Sequence, residues 1–235
     1  MDLEDITAAI LAGGLGTRLS SAIKRKQKVL ATVKNYPFLK YILDKLQKTG
    51  IKKVIICTGH LGEQVKKEFG NTYGNLSIYY SQENSKLDTA GAIRLALPFI
   101  KTEDILVTNG DSYLDFDLKK FWQFHLQKKS KASILLTRVS NLDRYGQVVL
   151  DKNNKITSFQ EKHGKVGTGL INSGIYLFKK PLLLKIPKNK AVSFEKELFP
   201  TLIGKDFYGF EAKGKFIDIG TPKSYQEAQS FFGSI

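Results

Sequence analysis

The sequence predicts an α/β protein, a mainly parallel (mixed) sheet flanked by helices, with a smaller strand-rich part behind it. Three observations predict it. In the first half, short β-branched runs alternate with helical periods. A glycine-rich stretch follows the first of those runs. From about residue 131 onward, strands succeed one another with little helix between them.

Taken in order, residues 6–11 read as a strand that ends at the glycines. Phe38, Ile42, Leu43 and Leu46 recur on one helical face, and Gly50 closes that helix. Residues 54–57 are a buried strand, followed by a short helix around Val65 and Phe69. Residues 76–80 are a third strand, and residues 89–97 a helix stopped by Pro98. A fourth strand, 105–108, runs into Asn109-Gly110-Asp111. Strands separated by helices imply right-handed crossovers and parallel pairing. In the second half, strands are expected at 132–139, 147–150, 156–160 and 171–178, with a turn at Asp151-Lys152-Asn153-Asn154. A helix near 194–202, a strand near 215–219 and a helix from Pro222 complete the chain. With no linker or internal repeat, residues 1–235 read as one domain of two lobes, 1–130 and 131–235.

The 37 basic and 22 acidic side chains give a net charge of +15. Such a balance attracts anions, whether nucleic acid, a membrane surface or small phosphorylated molecules. The lysines are scattered, as at Lys128-Lys129 and Lys179-Lys180, and so read mainly as solvated surface. No aromatic-basic platform or recognition-helix pattern accompanies them, so no nucleic-acid partner is expected. No apolar run reaches the ~18 residues of a membrane span. Residues 2–5 are acidic-rich where a secretory signal is basic, and the single Cys57 permits no internal disulfide. The expectation is a cytoplasmic protein without a membrane partner, and association into a homo-oligomer is compatible with it. His60, His125 and His163 lack metal-ligand spacing. His125 and Trp122 read as packing, and Cys57 as a small hydrophobe.

Gly13-Gly14-Leu15-Gly16-Thr17-Arg18 follows the first strand and opens toward a helix. Backbone N–H groups in such a loop are free to face an anion, and glycines let the backbone come close. The loop is not a Walker A motif, because Thr17-Arg18-Leu19 stands where Gly-Lys-Ser/Thr is needed. Nor is it a dinucleotide fingerprint, because Leu19 replaces the third glycine. Arg18, Lys24, Arg25, Lys26 and Lys28 crowd its downstream side and point to a polyphosphate.

The stretch Leu11-Ala12-Gly13-Gly14-Leu15-Gly16-Thr17-Arg18-Leu19 resembles the signature of the sugar-phosphate nucleotidyltransferases. Asn109-Gly110-Asp111, Phe159-Gln160-Glu161-Lys162, Leu170-Ile171-Asn172-Ser173-Gly174-Ile175-Tyr176 and Phe216-Ile217-Asp218-Ile219-Gly220-Thr221-Pro222 resemble further segments of that family, in its order, over most of the chain. Asp143-Arg144-Tyr145-Gly146 is most similar to the branch that guanylylates D-glycero-α-D-manno-heptose 1-phosphate. The resemblance implies a Rossmann-like sheet with a smaller sugar-binding lobe. It also implies attack of a sugar 1-phosphate oxygen on the α-phosphorus of an NTP, GTP by the branch resemblance, with loss of pyrophosphate. The product would be an NDP-sugar for surface polysaccharide. Mannose, glucose or N-acetylmuramate 1-phosphate with another NTP is the alternative, as is a homologue that binds nucleotide without turnover.

By the same resemblance, the nucleotide is held by Leu11, Ala12, Gly13, Gly14, Gly16, Thr17, Arg18, Glu83, Asp88, Gly91, Asn109 and Gly110. Arg18, Lys28 and Asp111 are the catalytic candidates. Asp111 and Asp218 would hold Mg²⁺, and Tyr145, Gly146, Glu161, Lys162 and Asn172 the sugar phosphate. Two departures stand out. The family's Pro-Lys-Pro reads Gln27-Lys28-Val29 here, which predicts a less pre-organised Lys28. In the base-reading loop, Ser85-Lys86-Leu87-Asp88-Thr89-Ala90-Gly91, Asp88 replaces a glycine, and whether it reads guanine or obstructs the nucleotide stays open.

Overall fold

The computed structural model describes residues 3–14, 16, 19, 26–142, 145–160 and 167–232, and of Gln160 its backbone only. Strand β1 (Ile6–Ala12) leads to a small ribbon of β2 (Thr32–Val33) and β3 (Tyr36–Pro37), then helix α1 (Phe38–Lys48). Next come β4 (Lys53–Thr58), α2 (Gly62–Phe69), β5 (Thr72–Tyr73), β6 (Leu76–Gln82), α3 (Asp88–Ala96), β7 (Asp104–Asn109) and β8 (Ser112–Leu114). The second half holds α4 (Leu118–Gln127), β9 (Ala132–Val139), β10 (Gln147–Leu150), β11 (Ile156–Gln160), β12 (Gly169–Lys179) and α5 (Lys180–Leu184). It ends with α6 (Phe199–Leu202), β13 (Phe207–Ala212), β14 (Phe216–Asp218) and α7 (Pro222–Phe231).

Among the described residues, ten strands make one mixed sheet, with β11-β10-β12-β7-β1-β4-β6-β5 along its main path and β9 and β13 beyond β12. β1 pairs in parallel with β4 on one side and β7 on the other, and β6 continues in parallel beyond β4. These strands are buried on both faces, hence their near-continuous apolar sequences. Alternation sends Ile6, Ala8 and Ile10 into one core with α1 and α4, and Ala9, Ile55 and Cys57 into another with α3. Helix α1 buries Phe38, Leu39, Ile42, Leu43 and Leu46, the stripe its spacing predicts. Gly50, just past its end, adopts φ +93°, which costs a glycine little.

The chain progresses outward from β1 through β4 to β6 and then crosses to β7 on the opposite side. A crevice therefore opens at the carboxyl ends of β1 and β7, where open α/β sheets bind their ligands. The strand-rich half extends this same sheet, because β12 runs antiparallel between β7 and β9. Its register shifts between Asn172 and Ile175, around Gly174 at φ +79°. The sequence does not predict the short elements β2, β3, β5, β8 and α5. Helix α3 ends at Ala96, ahead of Pro98 as expected, and Pro98 sits in a tight turn over Leu97–Phe99. Strand β13 was not foreseen, because Gly209 sits in its middle like a turn residue. In the fold, Leu136 and Leu150 of neighbouring strands fill the space a Cβ would take.

Candidate functional site

A cavity of about 650 Å³ lies over the carboxyl ends of β1, β4, β6 and β7. Its walls include Leu11 and Ala12 at the end of β1 and Gly13 and Gly14 of the glycine loop, with Glu83, Asp88, Asn109, Lys28 and Asp111 around them. Gly14 has open space where a side chain would stand, whereas a Cβ on Gly13 would meet Glu83 Oε1 at 2.9 Å. Gly16 takes φ +62°, and its carbonyl accepts from Leu19 N at 2.9 Å, closing a turn. Thr17 and Arg18 lie outside the described residues, as do Glu161 and Lys162.

Lys28 begins a short turn (Lys28–Leu30) and is 9% exposed. Its Nζ donates to Asp111 Oδ2 at 2.5 Å. Asp111 stands just past β7 because Gly110 brings the chain tightly over β1. Gly110 N–H donates to the Leu11 carbonyl at 2.9 Å, and a Cβ there would come within 2.8 Å of that oxygen. Asp218 reaches the same neighbourhood through the antiparallel pairing of β14 with β8, which sets Asp218 opposite Ser112. The Ile219 N–H donates to the Asp111 carbonyl at 2.9 Å. Asp218 accepts from Gly220 N at 2.7 Å, from Ser224 Oγ at 3.2 Å, and from the Tyr145 hydroxyl. Two oxygen-donor carboxylates on paired strand ends suit a hard divalent cation that also takes phosphate oxygens. Among the described residues there is no group of three or more His, Cys, Asp or Glu set to hold an ion unaided.

Glu83 is wedged between Gly13 and Gly59, and its Oε2 accepts from Leu87 N at 3.0 Å. Burial lifts its carboxyl above the ordinary range, against the pull of that N–H. Asp88 lines the cavity mouth at φ +54° and pairs with Lys86 at 2.8 Å. Gly91 faces away from the cavity. Its N–H donates to the Val192 carbonyl at 3.1 Å, and a Cβ would collide with the Lys190 carbonyl.

On the other side of the crevice, Asn172 is held at both ends of its amide. Its Oδ1 accepts from Gly174 N at 2.8 Å, and its Nδ2 donates to the Tyr176 hydroxyl at 2.9 Å. That hydroxyl in turn donates to Glu195 Oε1 at 3.1 Å. Tyr145 edges against Phe216 and, with Gly146, precedes β10. Gly59, His60 and Gln27 also line the cavity, although the sequence marks none of them as a site residue. Gly59-His60 directly follows β4, so its position at a parallel strand's carboxyl end was the available signal. Burial pushes the Cys57 thiol up to about 12. Asp104, His125 and Ser133 line up like a nucleophile triad, at 3.3 and 2.8 Å, yet His125 is fully buried and the cavity lies elsewhere.

An α/β sheet carrying a phosphate-type glycine loop and a lysine–aspartate pair at its switch point defines a nucleotide-handling protein. The family model "Nucleotidyl transferase" matches residues 7–234, and the chain belongs to that family of enzymes. Over 94% of its length the chain is 38% identical to a D-glycero-alpha-D-manno-heptose 1-phosphate guanylyltransferase of Aneurinibacillus thermoaerophilus, covering 96% of that protein. It is 34% identical over 93% of its length to a mannose-1-phosphate guanylyltransferase catalytic subunit beta of Drosophila melanogaster, of which it covers 60%. The fold superposes on HddC from Yersinia pseudotuberculosis, complexed with GMP-PN, with a TM-score of 0.86 and 33% identity, covering 96% of this chain and 99% of that one. An NTP and a sugar phosphate fit this family as substrates, and its members generally use a divalent metal. No helix among the described residues is long and apolar enough to cross a membrane.

Proposed function

We propose that the protein transfers a guanylyl group from GTP to D-glycero-α-D-manno-heptose 1-phosphate, releasing pyrophosphate. One observation carries the reading: Lys28 and Asp111 meet at 2.5 Å on the wall of the cavity that the glycine loop borders. A phosphoryl reaction of this kind asks mainly for two anions held in line with their charge offset. The amides of Gly13 and Gly14, with Arg18 and Thr17, hold the triphosphate, and Leu11, Ala12, Gly16, Asn109 and Gly110 shape its path. Lys28 releases Asp111 and offsets the charge that builds on the α-phosphate. Glu83 and Asp88, with α3 behind them, border the base. Tyr145, Gly146, Asn172, Glu161 and Lys162 orient the sugar 1-phosphate, whose oxygen forms the new P–O bond as the bond to pyrophosphate breaks.

Asp111 and Asp218 would hold Mg²⁺, which when bound would supply positive charge against the phosphates of both substrates. A reaction that consumes an NTP belongs in the cytoplasm under this reading, ahead of surface polysaccharide assembly. The test is a pyrophosphate-release screen of four NTPs against heptose, mannose, glucose and N-acetylmuramate 1-phosphates, with and without Mg²⁺. The expected result is release with GTP and the heptose phosphate, dependent on Mg²⁺. Higher kcat/KM with mannose 1-phosphate would move the sugar assignment, and no release with any pair would overturn the enzyme reading. Asp111→Asn should lower kcat by at least about 100-fold while the Tm holds; an unaltered rate would remove Asp111 from the chemistry.

A further inference from the structure

The turn before Lys28 is held in an unusual way for a segment that in the family is framed by prolines. Gln27 is 2% exposed, and all four of its polar groups are engaged, its carbonyl accepting from Leu30 N at 2.9 Å. Its backbone N–H donates to Gln64 Oε1 of α2 at 2.9 Å. Its side-chain Oε1 accepts from Val29 N at 2.8 Å, across Lys28. Its Nε2 donates to the carbonyl of Ala12, the last residue of β1 and the neighbour of Gly13. The amide orientation is set by chemistry, because a flip would place two donors, and then two acceptors, face to face. The backbone at Gln27, φ −63° and ψ 136°, is extended and already has the φ that a proline ring fixes.

We propose that Gln27 is the positioning residue for Lys28, locking the turn that bears the lysine onto the glycine loop. The expectation of a loosened Lys28 rested on the missing prolines. Side-chain hydrogen bonds here do the work of ring constraint, and they do more. A proline restricts its own backbone and that of the residue before it, whereas Gln27 also ties the Lys28 turn to the strand end whose next residue is in the glycine loop. A buried amide bonded at both ends keeps a single geometry, since any excursion strands a donor or an acceptor away from water. The proposal rests on the reaction given above, in which Lys28 meets the α-phosphate.

Displacing a charge-offsetting group by about 1 Å costs on the order of 100-fold. Gln27→Ala should therefore lower kcat 10- to 100-fold while KM for GTP changes less than about threefold. Gln27→Glu, which keeps the acceptor for Val29 and sets an oxygen against the Ala12 carbonyl, should act in the same direction and serves if the alanine variant folds poorly. In a Lys28→Ala background, Gln27→Ala should cost nothing further in kcat, because its effect runs through the lysine. Equal losses in both backgrounds, or a raised KM with kcat kept, would overturn the proposal. A readout independent of turnover separates this outcome from failure of the proposed reaction. In the nucleotide-free chain with ¹³C-methylated lysines, the Lys28 signal, assigned with Lys28→Arg, should be single in the native protein and broadened or split in Gln27→Ala. An unchanged signal would count against Gln27 even if no substrate pair turned over.

Discussion

Asp88 stands where the family tends to have glycine, and its φ of +54° shows why glycine suits the place. The left-handed conformation costs a side-chain-bearing residue about 1 kcal/mol, somewhat less for Asp, whose carboxylate bonds locally. Glycine would relieve that cost but give back roughly 0.5–1 kcal/mol in chain entropy. The two nearly cancel, so Asp88→Gly should shift the Tm by less than about 2 °C, measured by thermal unfolding. A gain well beyond that would mean that the Asp88 turn is more strained than its φ implies. At this scale the sequence was informative about residue types and poor about partners. Lys28, Asp111 and Gly13 could be singled out from motif and position, and they do share one cavity. That Lys28 would lie on Asp111 could not be read, since the two are 83 residues apart. Gln27 carried no signal beyond the loss of a proline, because its contacts depend on the separate ends of β1 and α2.

Elements explain what the far end of the sheet does. Asp104 opens β7 at the end remote from the cavity, and it gathers His125 of α4 at 3.3 Å and Lys179 of β12 at 2.7 Å. Burial alone would raise the Asp104 carboxyl, but the hydrogen bonds from His125 and Lys179 outweigh it and hold the group below the usual carboxylate range. A depressed value means that the folded chain favours the ionised form. The resulting stability is therefore present above about pH 4 and is lost as pH falls through the lower folded value. Urea unfolding between pH 6 and pH 3 should show this loss, and Asp104→Asn should start less stable and flatten the acid limb. A variant curve running parallel to the native one would remove Asp104 from the acid response. His125 could be read from its helix as packing, and it is fully buried. Its role as a tie between α4 and β7 follows from tertiary pairing that helical periodicity does not encode.

For the whole molecule, periodicity delivered the alternation of strands and helices, and the parallel strands β1, β4, β6 and β7 lie where it put them. The order of strands across the sheet was less legible. β12 inserts antiparallel beside β7 through long-range pairing, and β13 joins beyond β9 with a glycine at its centre. The net charge of +15 is a property of the whole that no motif expresses. An NTP is a polyanion, so this field should speed its capture from a distance while leaving chemistry inside the cavity alone. Added salt separates the two effects, because exposed charges are screened beyond about 10 Å at 0.1 M and about 3 Å at 1 M, and buried pairs much less. Lys28 is 9% exposed, which places it among the weakly screened groups. Raising KCl from 0.05 to 0.5 M, on the order of a tenfold change in ionic strength, should increase KM for the nucleotide several-fold and leave kcat within about twofold. If kcat fell with salt while KM stayed level, the charge would be acting at the reacting phosphates, and long-range capture would not be its part in the enzyme.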